Sequence, residues 1–82
     1  MRIDKYLNAV NITKRRAVAQ DMIASGVVSV NGKAVKASKN IDVGDIITIA
    51  YLKGEKRYEV LQIPQTKSTP NSKQHEFVKE LA

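Results

Sequence analysis

Residues 13 to 35 read TKRRAVAQDMIASGVVSVNGKAV, and the way this stretch changes its periodicity decides the fold. Its first half places Val18, Ala19, Met22 and Ile23 on one stripe at helical spacing. The spacing predicts a helix from Thr13 to Ser25, with Thr13 as N-cap and Gly26 closing it in the left-handed conformation. After Gly26 the valines alternate, and Asn31-Gly32 between two β-prone runs is a strong hairpin signal. Pairing Val30 with Lys33 puts Val28, Val30 and Val35 on one face and leaves the Lys33 ammonium beside the turn, in reach of water.

Upstream, Ile3, Tyr6, Leu7 and Val10 fall within an arc of roughly 100° on a helical wheel, which predicts a short amphipathic helix. Arg2 and Lys5 lie on one flank of that wheel, and Asp4 and Asn8 lie on the other. Downstream, Asp42-Val43-Gly44-Asp45 reads as a turn leading into a strand from Ile46 to Leu52, and Lys53-Gly54 reads as the loop of a hairpin returning from Glu55 to Ile63. With that loop, Ile47 and Ile49 share a face with Tyr58 and Val60, while Thr48 and Ala50 face Glu59 and Arg57. Pro64 stops the last strand. The run from Gln65 to Gln74 is polar and is expected to be flexible, and His75 to Ala82 is expected to close with a helical turn around Phe77, Val78 and Leu81. The expected fold is α+β, with two to three short helices packed on a small, mainly antiparallel sheet. The expected organisation is one domain over residues 1–64 and a flexible polar tail with a short terminal helix over residues 65–82.

Charge narrows the function. The 82 residues carry fourteen Lys and Arg against eight Asp and Glu, a net charge of +6. The whole excess lies in residues 1–39, where Arg2, Lys5, Lys14, Arg15, Arg16, Lys33, Lys36 and Lys39 face only Asp4 and Asp21; the rest of the chain is neutral. A surface charged for solubility mixes its signs, so this asymmetry points to a face for a polyanion. There is no cysteine and one histidine, His75, which leaves no ligand set for a metal and no thiol chemistry. No cofactor is expected. Charges occupy the first residues where a signal peptide needs an apolar run, and the Ile46 to Leu52 stretch is too short to span a bilayer. A cytoplasmic protein without membrane contact is the expectation.

Lys14-Arg15-Arg16 is the sharpest motif. Cations in the first turn of a helix oppose its dipole by roughly 0.3 to 1 kcal/mol each when exposed, so local stability does not explain them. A phosphate reverses the sign, because backbone donors and flanking bases then act together. Lys33, Lys36 and Lys39 follow the Asn-Gly turn at a spacing of three, and with Arg2, Lys5 and the triplet they form a basic surface able to track a nucleic-acid backbone. Tyr6 and Tyr58 fall on predicted core faces. So few exposed rings favour phosphate and shape recognition of folded RNA over base stacking along single strands. Asp42 and Asp45 flank Gly44 as turn residues, and Ser25, Ser29 and Ser38 have no activating partner in sequence, so no catalytic residue is assigned.

RIDKYL, then the stretch quoted above, then a Gly-Asp turn before an apolar strand resemble the S4 RNA-binding domain, named after the fourth small-subunit ribosomal protein. The resemblance covers about residues 1–52. Within that family the chain is similar to small, stand-alone bacterial ribosome-associated proteins related to the fifteen-kilodalton heat-shock protein, and most of all to those of ribosome quality control. A long C-terminal helical extension like that of the heat-shock relative is not expected. The resemblance implies binding to large-subunit rRNA and peptidyl-tRNA on stalled large ribosomal subunits, support for alanine tailing by a quality-control elongation factor, and no chemistry of the protein's own. It carries RNA contacts onto Arg2, Lys5, Lys14, Arg15 and Arg16 and onto the Asn31, Gly32 and Lys33 turn. A monomer is expected. The rival expectation is a detached specificity domain acting with a separate RNA-modifying enzyme. Because Arg2 and Arg16 lie off the inferred core arcs, replacing either by alanine is expected to weaken RNA binding without unfolding the domain. If about five phosphates are neutralised, log K for structured RNA should fall with log salt at a slope of roughly −3.5 to −4.5, measurable by fluorescence anisotropy across a salt series; a flat response would reject an electrostatic face.

Overall fold

In a computed structural model, which describes residues 1–64 and 73–81, the elements run α1 (Ile3–Ala9), α2 (Arg16–Ala24), β1 (Val28–Val30), β2 (Lys33–Ala34), β3 (Ile46–Tyr51), β4 (Gly54–Val60), α3 (Gln74–Phe77) and β5 (Val78–Leu81). The strands form one sheet in the order β2-β1-β3-β4-β5, and every neighbouring pair is antiparallel. The α1 arc is buried as its spacing predicts: Ile3, Tyr6, Leu7 and Val10 are all fully inaccessible. They pack with Ala19 and Ile23 of α2 and with Val28, Val30, Ile47, Ile49, Val60 and Val78 of the sheet. Val18, expected on the same stripe as Ala19, is instead exposed, and Met22 is partly buried.

Both long helices end in the same device. In α2, the Gly26 N–H donates to the Ile23 carbonyl and the Val27 N–H to the Met22 carbonyl, with Gly26 at φ +80°. This is a Schellman closure, and Val27 and Met22 both pack on the core beside it. In α1 the left-handed position falls on Asn11, at φ +65°; its N–H donates to Asn8 and the Ile12 N–H to Leu7. The α1 closure moves the start of α2. Thr13 donates its backbone N–H to Leu7 and its hydroxyl to the Arg15 carbonyl, so it belongs to the turn out of α1. It is not the N-cap of α2. That position is Arg15, in extended conformation, and the helix begins at Arg16.

The Asn-Gly hairpin forms as read, with Val30 opposite Lys33 and positive φ at both Asn31 (+52°) and Gly32 (+84°). Asn31 also extends the β1–β3 ladder. Its backbone N–H donates to the Ile46 carbonyl (2.8 Å), and its side-chain oxygen accepts from the Ile46 N–H (3.0 Å). The second hairpin slips relative to the sequence reading: Tyr51 pairs with Gly54, so the loop is Leu52-Lys53 and not Lys53-Gly54. Both strands shift by one residue, which leaves the alternation intact, and Ile47 and Ile49 still share a face with Tyr58 and Val60. The β4 strand ends at Val60, short of the expected Ile63, because Leu61 and Gln62 turn their N–H groups to the Phe77 carbonyl. Asp45 serves the preceding turn, accepting from the Asp42 N–H (2.8 Å) and from Asn31 (3.2 Å).

The C-terminal segment differs most from expectation. A single helical turn, Gln74–Phe77, leads into β5, which pairs with β4 from Val60↔Val78 to Arg57↔Leu81. The polar run expected to be flexible lies mostly outside the described residues. Beyond it the Tyr6 hydroxyl donates to the Phe77 carbonyl (2.8 Å) and the Gln74 amide to the Val10 carbonyl. Burial pushes the Tyr6 phenol well above its ordinary value of 10, so it stays a protonated donor. Tyr6→Phe should lower stability by about 1 kcal/mol in a urea titration. Truncation after Pro64 should lower it further, because it also exposes the β4 edge and removes Val78 from the core.

Candidate nucleic-acid interface

The helical wheel sets Asp4 among the outward polar residues; the structure puts it at the centre of the site. It is fully buried, and its carboxylate accepts from the Lys5 backbone N–H (2.8 Å), Gln20 Nε2 (2.9 Å), Arg2 Nη2 (3.2 Å) and Arg16 Nε (3.2 Å). Burial alone would raise its pKa, but the bonds from Gln20, Arg16 and the Lys5 N–H, with the Arg16 charge, outweigh it and hold the carboxyl below 3.8. The Arg2 and Arg16 side chains are 46% and 44% exposed. Each guanidinium therefore turns one donor edge inward to a fixed carboxylate while its other donors reach solvent.

Backbone pairing brings further cations to this hub. Arg2 forms an isolated bridge with Asn40; the Ile3 N–H donates to the Lys39 carbonyl (2.7 Å) and the Ile41 N–H to Met1 (3.0 Å). Lys36 and Lys39 are the ends of a turn closed by the Lys39 N–H on the Lys36 carbonyl (3.0 Å), and both side chains are exposed. Lys5 is exposed on α1, one residue beyond Asp4. Lys14 and Arg15 are exposed on the segment that delivers Arg16. Only Arg16 lies in the first turn of α2, so the dipole argument for the triplet applies to one residue instead of three. The helix start has no side-chain cap and no acidic residue in its first turn.

Asn31, Gly32 and Lys33 stand apart. Their hairpin is tied to Asp45 and Ile46, and among the described residues no hydrogen bond or ion pair links it to the Asp4 hub. Asn31 uses its side-chain donor and acceptor within the fold, which makes it a shaper of the turn, with Lys33 exposed beside it. Sequence reasoning missed Asp4 and Gln20. The usable signal was the spacing of Arg16 and Gln20, four residues apart on one helical face and so able to converge on one acceptor.

Helices laid on an antiparallel sheet, with exposed cations grouped around a buried carboxylate, define a small module with one basic face. The family model described as the S4 domain matches residues 1–47, and the chain belongs to this family. It is 46% identical over 78 residues to the RQC P-site tRNA stabilizing factor of Helicobacter pylori, covering 95% of this chain and 93% of that protein. It is 36% identical over 69 residues to the factor of the same name from Bacillus subtilis, covering 84% and 77%. Among solved structures, a trimeric heat shock protein 15 of Vibrio cholerae superposes with a TM-score of 0.89 at 29% identity, covering all of this chain and 82% of that one.

The Asp4 hub changes what arginine substitutions do. Arg16→Ala should weaken RNA binding and also lower stability by about 1–2 kcal/mol without unfolding the domain, because it removes a charge-assisted bond to a buried carboxylate. The pH dependence follows from the lowered native pKa: Asp4 contributes fully above its unfolded value of about 3.9 and loses that contribution as pH falls through the lower native value. Denaturant titrations between pH 2 and 6 should show this acid limb in the parent and a shallower one in Asp4→Asn.

Proposed function

We propose that the chain is a non-enzymatic RNA-binding protein of bacterial ribosome-associated quality control, acting in the cytoplasm. It binds tRNA and large-subunit rRNA on stalled large ribosomal subunits that still carry peptidyl-tRNA. The observation that carries this reading is the Arg2–Asp4–Arg16 cluster with Lys5, Lys14, Arg15, Lys36 and Lys39 on the segments around it. The names of the relatives supply the biological setting.

The mechanism is positional. Asp4 holds two guanidinium groups in one orientation before RNA arrives, so less side-chain freedom is lost on binding and each phosphate meets donors already aimed outward. Lys14 and Arg15 add charge beside the open start of α2, where backbone N–H groups favour an anion. Lys36 and Lys39 extend the contact from the segment that pairs with Arg2. Asn31, Gly32 and Lys33 contribute a second contact at the hairpin. Bound as a monomer, the protein steadies tRNA on the subunit, and the quality-control elongation factor performs the alanine tailing.

Sedimentation tests this reading. The protein should co-migrate with free large subunits bearing peptidyl-tRNA, and Arg15→Ala, which disturbs no packing, should reduce that fraction without changing the melting temperature. Migration apart from the subunits, together with stable co-purification with one RNA-modifying enzyme, would instead identify a detached specificity domain.

A further inference from the structure

The β3 strand carries its core face past the cover of the helices. Ile47 and Ile49 are buried, and Tyr51, next on the same side, is 40% exposed. Gly54 stands opposite it in the ladder, and a side chain built there would meet nothing within 4 Å. The result is an open groove walled by Tyr51, Tyr58 and Ile12, with Leu52 fully exposed at the hairpin tip and Lys53 and Lys56 on the rim. Ile12 joins the groove to the basic segment, since Lys14 follows it by two residues.

We infer that this groove receives one unpaired nucleobase of the bound RNA, stacked on the Tyr51 ring, while the backbone on either side runs to Lys53, Lys56 and the Lys14-Arg15-Arg16 segment. The inference rests on the RNA-binding reading above and adds base contact to a face otherwise built for phosphates. Three observations select this occupant. The groove is apolar and aromatic-walled but rimmed by cations, which suits a flat ring on a charged backbone. Eight residues line it, against about 20–30 a side for a stable protein interface, so its size fits a base better than a protein partner. Of the charged residues that line it, Lys53 and Lys56 stand against Glu55 alone, and the exposed Lys56–Glu80 pair (3.2 Å) is of the weak kind that a phosphate can replace.

The test uses the full chain and two fluorescent RNA probes of equal length, a perfect duplex and a hairpin with one unpaired 2-aminopurine. Tyr51→Ala should weaken binding to the 2-aminopurine hairpin by about fivefold or more, the lower range for loss of one stacked base, and leave duplex binding unchanged. Tyr51→Phe should restore hairpin binding, and the 2-aminopurine emission should be quenched by the parent and by the Phe variant but not by the Ala variant. Unchanged hairpin binding in Tyr51→Ala, with both probes weakened by Arg15→Ala, overturns the groove assignment while the basic face stands, and leaves a protein contact as the alternative. Equal weakening of both probes by Tyr51→Ala also overturns it. If the parent binds neither probe, the RNA-binding reading itself fails, and the groove with it.

Discussion

A carboxylate removed from water must be compensated or it destabilises the fold by several kcal/mol, and the way Asp4 is compensated organises this protein. Its partners come from three places: the residue that precedes α1, the backbone of α1, and one face of α2. The bonds that satisfy Asp4 therefore also fix the two helices against each other. They also hold two arginines side by side that would otherwise repel, because the anion between them offsets their charge. Stability and the basic face are in this sense one feature of the structure.

Most of the fold was legible because its signals are local. The α1 stripe, the left-handed Gly26 and the Asn-Gly hairpin each act within a few residues, and each appears where the spacing puts it. The misplaced boundaries come from one local device displacing another. Asn11 closes α1 and draws Thr13 into that closure, so α2 starts three residues after the expected cap. The slipped β3–β4 loop left the face assignment unharmed because period-two alternation tolerates a paired shift.

What the sequence could not disclose is long-range. β5 has a short apolar pattern, Val78 and Leu81 around two charged residues, that fits a helical turn as well as an edge strand; only pairing with β4 decides between them. Asp4 is similar. An aspartate in the first turn of a helix has a sufficient local reason to be there, as a partner for the dipole, and nothing nearby announces burial. Of the candidate site, the cations were legible from charge clustering, whereas the acid that orients two of them and the separate tethering of Asn31 depend on residues more than ten positions away.

The Phe77 carbonyl, which accepts from Tyr6, Leu61 and Gln62, sets an order of events. Tyr6 and Phe77 stand 71 residues apart, so this contact closes almost the whole chain into one loop. It can form only when nearly every residue is available. During synthesis, Arg2, α1 and Arg16 are made long before the segment that completes the core beneath them. The basic face therefore reaches its final packing only after β5 has been made and has joined the sheet.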